Sequence, residues 1–373
     1  MTRWTLISGD FTPLGGMDRA NHALASFLLR QGDEVTLVTH RAWADLRAGG
    51  ARVVEVRRPL GSHLLGAPLL AAAGQREARK AAPGTRVVAN GGNTDTGDIV
   101  WVHYLHAAHR SPAVGTWLRR ARVARANALY LARERAVLPR ARVVICNSRR
   151  TARDIQIAYN LPIDRLHVVY YGSDPATFSP ITAEQRALAR RALGWGSQRV
   201  ALFVGALGDH RKGFDRLFEA WRILSRDASW DVGLAVAGAG AELGGWQARA
   251  AREGLKDVRF LGFREDIAPV MAASDVLVHP ARYEPYGLGV HEALCRGIPA
   301  IVARDTGVAE MYPPDLRTLL IEDVESAEEI AERLKNWRTA GPVLESRVAT
   351  LSSKLRARTW DEMASEFVER ISR

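Results

Sequence analysis

Two glutamates, Glu284 and Glu292, stand eight positions apart in RYEPYGLGVHEALCRGIPAIVA, residues 282–303, on either side of Gly287 and Gly289. Pro285 pushes the backbone of Glu284 toward extended geometry, so that carboxylate is expected to project from a loop. The two glycines allow a tight turn, and residues 290–296 then read as a helix with Glu292 in its first turn. Amides near Leu288 and Gly289 at a helix start favour a phosphate between the carboxylates. One carboxylate can then take sugar hydroxyls and the other a ribose. The turn Gly297-Ile298-Pro299 and the apolar strand after it place the loop at a carboxyl-end crevice, where open α/β sheets bind ligands.

A diphosphate leaving group gathers negative charge, so positive groups must wait for it. Arg211 and Lys212, in GALGDHRKGFD after an apolar strand and before a helix, supply them. The chain has no DxD triplet to bridge a diphosphate through magnesium, so fixed cations and helix dipoles are expected to replace a metal. His103 closes DIVWVH and can hydrogen-bond a sugar hydroxyl. With His106 and His109 it makes an HxxHxxH spacing, but closed metal sites bring Cys or carboxylate ligands too, so no metal is assigned. Gly15-Gly16 follows the first strand at the phosphate-approach position, a weak signal without a full GxGxxG.

Over nearly its whole length the chain resembles the retaining glycosyltransferases of family four, whose signature is E-x7-E. The resemblance implies an α/β chain of GT-B architecture, with two facing Rossmann-like doubly wound domains and an interdomain cleft. It implies that Glu284 orients the donor sugar, Glu292 holds the ribose, and Lys212 with Arg211 binds phosphate. His103 would lie near the reacting sugar and acceptor. Gly15, Gly16, Gly205, Gly238, Gly287, Leu288 and Gly289 would approach the donor, with Phe263 and Arg264 beside its base. The implied donor is a nucleotide-diphosphate sugar, UDP- or GDP-linked, without a further cofactor. One departure stands out: where the family usually has an arginine after the strand's glycine, this chain has Ala206.

Alternating strands and helices must carry these groups. Strands are expected at 4–8, 34–39, 52–56, 86–89, 99–103 and 142–146, then at 199–204, 233–237, 258–261 and 276–279, which implies parallel doubly wound sheets. Pro175 and Pro180 break regular structure between the sets. The expected domains are an acceptor-side domain at 1–174, a donor domain at 175–358, and a last helix at 359–373 that crosses back to the first. Residues 117–140 read as a basic helix with Trp117, Val123, Leu129, Leu131 and Val137 on its packed stripe.

Composition is that of a globular enzyme: 373 residues, 47% hydrophobic and 25% charged. The start lacks a signal-peptide core, so a cytoplasmic protein is expected, with peripheral contact at the inner membrane face left open. Cys146 and Cys295 read as buried thiols. Residues 1–170 hold 25 Lys and Arg against 12 Asp and Glu, whereas the remainder holds 27 against 29. That asymmetry suggests an anionic partner for the first half, a glycan, a lipid-linked acceptor or an anionic membrane, with His106, Arg57, Arg58, Arg119 and Arg120 as acceptor-side candidates. No nucleic-acid motif accompanies the charge. Two other readings stay open: a sugar-nucleotide epimerase of the same fold, and a catalytically silent scaffold or polyanion-binding protein.

Overall fold

The computed structural model describes residues 1–96, 98–109 and 116–372, without the side chain of Arg119, so that acceptor-side candidate lies outside the described residues. The chain forms two compact units, one of Met1–Gly172 with Arg358–Arg373 and the other of Ser173–Ala357.

In the first unit the strands are β1 Arg3–Ile7, β2 Asp10–Phe11, β3 Glu34–Thr39, β4 Arg41–Ala42, β5 Arg52–Glu55, β6 Arg86–Asn90, β7 Ile99–Val102, β8 Val143–Cys146 and β9 Leu166–Val168. Seven of them form a parallel sheet in the order β5-β3-β1-β6-β7-β8-β9, and β2 pairs with β4 apart from it. The inner strands IVWV and VVIC are apolar at every position and fully buried, as expected for parallel strands covered on both faces.

The second unit holds β10 Arg199–Val204, β11 Val232–Ala237, β12 Val258–Gly262, β13 Val276–His279, β14 Ala300–Ala303 and β15 Leu320–Ile321, in the parallel order β12-β11-β10-β13-β14-β15. Counted along each sheet, strand order reverses beside β1 in the first unit and beside β10 in the second. Such a reversal leaves a crevice between the carboxyl ends of neighbouring strands, β1 and β6 in one case, β10 and β13 in the other.

The last helix, Trp360–Ser372, is part of the first unit and packs on the helix Met17–Arg30. Phe367 is fully buried with its ring 4.8 Å from that of Trp101. Gly172 permits this return, because a β-carbon there would sit 2.3 Å from the Thr359 carbonyl oxygen. The basic helix, Trp117–Val137, differs from the expected packing at its start. Trp117 is 73% exposed and outside the core, while Val137 is buried. The amphipathic pattern there is too weak to turn the first residue inward, since arginines surround it.

Truncation of Phe367 to alanine is expected to destabilise the first unit by about 3–5 kcal/mol, the cost of removing a buried aromatic ring. Urea denaturation followed by hydrogen exchange in each unit checks this; equal loss of protection in Ser173–Ala357 would refute a role confined to the first unit.

Candidate active site

The crevice between β10 and β13 gathers most of the residues singled out in the second half. After β10 the chain runs through Gly205 and Ala206 into a single turn, His210–Lys212; after β13 it runs through Pro280 to Glu284. The first loop is stacked on its neighbours by backbone bonds that continue the sheet past the strand ends. Gly205 N donates to Ala237 O, Leu207 N to Ala239 O, and Gly238 N to Gly262 O. Glycine is needed on these rungs and again where the loop ends. A β-carbon on Gly238 would lie 1.8 Å from Gly205 O, one on Gly205 would lie 2.9 Å from the Phe203 ring, and one on Gly213 would lie 1.9 Å from Pro280 O. Gly205 and Gly238 therefore have a packing role whether or not a ligand approaches them.

Lys212 and Arg211 meet Glu284 here. Lys212 Nζ donates to Glu284 Oε2 at 2.6 Å, and Arg211 Nη1 reaches the same oxygen at 3.4 Å. His279 Nε2 lies 3.3 Å from it, off the line of a hydrogen bond. Burial raises the Glu284 carboxyl, but the charges of Lys212 and, to a lesser extent, Arg211 outweigh burial and hold it well below the usual carboxylate range. Burial also lowers the His279 imidazole, so that ring is neutral near pH 7. Arg211 is held in addition by Asp209 and by the carbonyl of Tyr283 at 3.0 Å.

Gly287 caps the next helix at φ +96°, a left-handed conformation that favours glycine. The helix is Leu288–Cys295, two residues earlier than the sequence suggested, and no side chain caps its start. Glu292 is consequently its fifth residue and lies in the second turn, not the first. Glu284, Lys212, Gly287, Leu288, Gly289 and Glu292 still border one cavity of about 210 Å³. Phe263 and Arg264 lie on the loop after β12, with Phe263 75% exposed.

Arg282, read above only as the start of the segment, ties the two loops together. Its guanidinium grips Asp215 with two bonds, at 2.8 and 2.7 Å, donates to His210 O at 2.6 Å and pairs with Glu325 at 2.5 Å. Its amide also donates to Arg211 O at 2.9 Å. An arginine two residues before the first glutamate was the available signal, but its partners are 67 and 43 positions away.

His103 belongs to the other unit. It follows β7, is buried, and its Nδ1 lies 2.5 Å from the Tyr171 hydroxyl. Gly15, at φ +78°, and Gly16 lead into the helix Met17–Arg30. Glu134 accepts from His106 through both the backbone amide and Nδ1, each at 2.7 Å. Arg58 pairs with Asp10 at 3.1 Å, while Arg57 and Arg120 are exposed. No group of three or more His, Cys, Asp or Glu suited to a metal ion occurs among the described residues. Cys146 and Cys295 are free and buried.

Two family descriptions match this chain: Glycosyltransferase Family 4 over residues 14–177, and Glycosyl transferases group 1 over residues 185–348. The chain belongs to the glycosyltransferases of family four. It is 29% identical over 248 residues to a probable transglycosylase of Burkholderia thailandensis, which covers 65% of this chain and 61% of that protein. The chain thus spans less than two thirds of that relative's length. The crystal structure of WaaG, a glycosyltransferase involved in lipopolysaccharide biosynthesis, superposes with a TM-score of 0.74 at 21% identity, covering 99% of each chain. HepE of Anabaena, solved with UDP and glucose, superposes with a TM-score of 0.66 at 18% identity over all of both chains. The fold of this family-four member is the two-domain, Rossmann-like GT-B fold.

Arg282→Met should lower the stability of the second unit by about 1–3 kcal/mol at pH 7, because Asp215 loses its fork of donors. Burial raises the Asp215 carboxyl, yet Arg282 outweighs it and the net shift is downward. A depressed carboxyl stabilises the fold above its unfolded value of about 3.9, and the contribution disappears as pH falls through the folded value. The difference between wild type and variant is therefore expected to shrink between pH 7 and pH 3 in urea titrations. A difference unchanged by pH would mean that the pair does not supply it.

Proposed function

We propose that this chain is a retaining, metal-independent glycosyltransferase that moves a hexose from a nucleotide-diphosphate sugar to a glycan or lipid-linked acceptor. The observation that carries the reading is the convergence of Lys212, Arg211 and Glu284 at the reversal point of the second sheet, beside the uncapped start of the helix Leu288–Cys295. Ligand-free, the lysine is neutralised by the glutamate. When the donor enters, Lys212 Nζ turns to its phosphate and Glu284 turns to the sugar hydroxyls. The amides of Leu288 and Gly289 add the positive end of a helix to the same phosphate. Glu292 takes the ribose from the second turn, and the exposed Phe263 lies by the base.

In the reaction the bond between the anomeric carbon and the diphosphate oxygen breaks, and the acceptor hydroxyl bonds to the same face of that carbon. The hydroxyl proton passes to the departing phosphate oxygen. Lys212 and Arg211 stabilise the charge that grows on this leaving group, the role of fixed donors aimed at a developing anion. Arg211 covers the position left open by Ala206. The UDP and glucose of HepE support a nucleotide-sugar donor, and the role of WaaG in lipopolysaccharide biosynthesis supports a cell-surface glycan product. Leu60, Leu65 and Leu69 are exposed beside Arg57 and support peripheral contact with an anionic membrane on its cytoplasmic side. Among the described residues no helix is long and apolar enough to cross a membrane.

A thermal-shift series with UDP, GDP, ADP and dTDP in EDTA identifies the base, since a ligand at 100 times its Kd adds about 2.7 kcal/mol to stability. With the sugar nucleotide so identified, turnover in EDTA should equal that in magnesium; activity abolished by EDTA and restored by the metal would overturn metal independence.

Lys212→Ala is expected to lower kcat by about 10²- to 10³-fold. Arg211→Ala should cost less, because Lys212 stays closer to the crevice, and adding Ala206→Arg should recover part of its loss. Steady-state kinetics on the three variants decide: normal turnover in Arg211→Ala would exclude a phosphate role for that residue.

A further inference from the structure

The strand β13 reads VLVH, apolar until its last residue. Side chains alternate along a strand, so Leu277 and His279 share a face, and both border the cavity of about 210 Å³ together with Lys212 and Glu284. His279 is only 6% exposed, and burying an imidazole is costly unless a partner satisfies it. Yet its Nε2 makes no hydrogen bond among the described residues. The group beside it is Glu284 Oε2, 3.3 Å away and off the bonding line.

That neighbour fixes what Nε2 can do. A lone pair there would face an anion and be repelled, so the ring hydrogen belongs on Nε2 and makes it a donor. Burial lowers the imidazole in spite of the carboxylate, so this donor carries no charge near pH 7. Three groups thus converge on one oxygen, Lys212 at 2.6 Å, Arg211 at 3.4 Å and His279 at 3.3 Å. At rest the short bond from Lys212 satisfies Oε2, and the misaligned imidazole adds little.

Donor binding as proposed above draws Lys212 to a phosphate, and Oε2 then needs another partner. Arg211 is poorly placed to replace the lysine, because its guanidinium is already bound to Asp209 and to Tyr283 O and reaches Oε2 only at 3.4 Å. We propose that His279 is a positioning residue: as Lys212 leaves, His279 Nε2–H bonds Glu284 Oε2 and steadies the carboxylate, so that Oε1 meets the sugar hydroxyls. No proton is transferred; only the partner of Oε2 changes. The unmatched buried atom is then the second half of an exchange that the resting pair conceals. This inference rests on the glycosyltransferase reading and adds to it the group that lets Lys212 depart.

The test is a double-mutant cycle on nucleotide binding with His279→Phe, Glu284→Gln and the two together. UDP, GDP, ADP and dTDP are each titrated calorimetrically into the full chain in EDTA, and the one that binds wild type is carried through the cycle. His279→Phe keeps a planar ring and the resting pair of Lys212 with Glu284, so its urea stability should match wild type. Its Kd should nevertheless rise about tenfold or more, the scale of a hydrogen bond to a charged group. The neutral amide of Glu284→Gln needs no such relief, so adding His279→Phe to it should change Kd by less than about twofold. His279→Gln, whose amide N–H falls near the place of Nε2, should recover part of the lost affinity. An equal loss in both backgrounds, no recovery with glutamine, or an unchanged Kd in His279→Phe overturns the proposal. Wild type that binds none of the four nucleotides would instead count against the glycosyltransferase reading, and the proposal would fall with it.

Discussion

The contact between Lys212 and Glu284 is the constraint around which the second unit is arranged. A carboxylate taken out of water is costly unless cations and donors surround it, and removing one partner of such a pair typically costs about 3–5 kcal/mol. Lys212 at 2.6 Å and Arg211 at 3.4 Å come from the loop after β10, whereas Glu284 comes from the loop after β13. Those loops must therefore be held together before any ligand arrives. Gly213 lets the first pass against the carbonyl of Pro280 without a side chain between them, and Arg282 bolts it from the other side through His210 O and Asp215. Val308 N bonded to Tyr286 O at 2.7 Å fixes the far end of the Glu284 loop.

Both units use the same sheet logic and line the resulting crevice with different side chains. Asp10, Asp18, Glu134 and Arg133 are among those that line the cavity of the first, while Lys212, Glu284 and Glu292 line that of the second. Net charge does not predict either lining, although the first 170 residues carry the excess of arginine. The excess includes Arg57 and Arg120 on the surface, where charge governs encounter and solubility more than the chemistry of a pocket. Bulk charge is thus a poor guide to a concave site, because the few buried groups that decide its character hardly alter the sum.

Much of the fold was legible for a plain reason. Parallel strands buried on both faces are unbroken apolar runs, and IVWV, RVALFV and VLVH stand out from arginine-rich helices. What was misread depends on three dimensions. Gly289 looks like a turn residue, yet it is the second residue of a helix that Gly287 has already capped, so Glu292 moved from the first turn to the second. Trp117 looked like a core residue because tryptophan usually is one, but the weak stripe of its helix leaves it exposed. Arg282 was hidden because its partners are distant in sequence.

The resting ion pair has a consequence for donor binding under the proposed function. A nucleoside diphosphate alone would draw Lys212 away and leave Glu284 with Arg211 and a neutral His279. A nucleotide sugar would take Lys212 by its phosphate and satisfy Glu284 by its hydroxyls at the same time. The sugar therefore stabilises the complex by more than its own hydrogen bonds, since it also removes the cost of an under-compensated buried carboxylate. Exchange of partners, rather than filling of a vacant site, makes the two ends of the donor bind cooperatively. On that reading, the carboxylate proposed to orient the sugar would also discriminate between the substrate and the product nucleoside diphosphate.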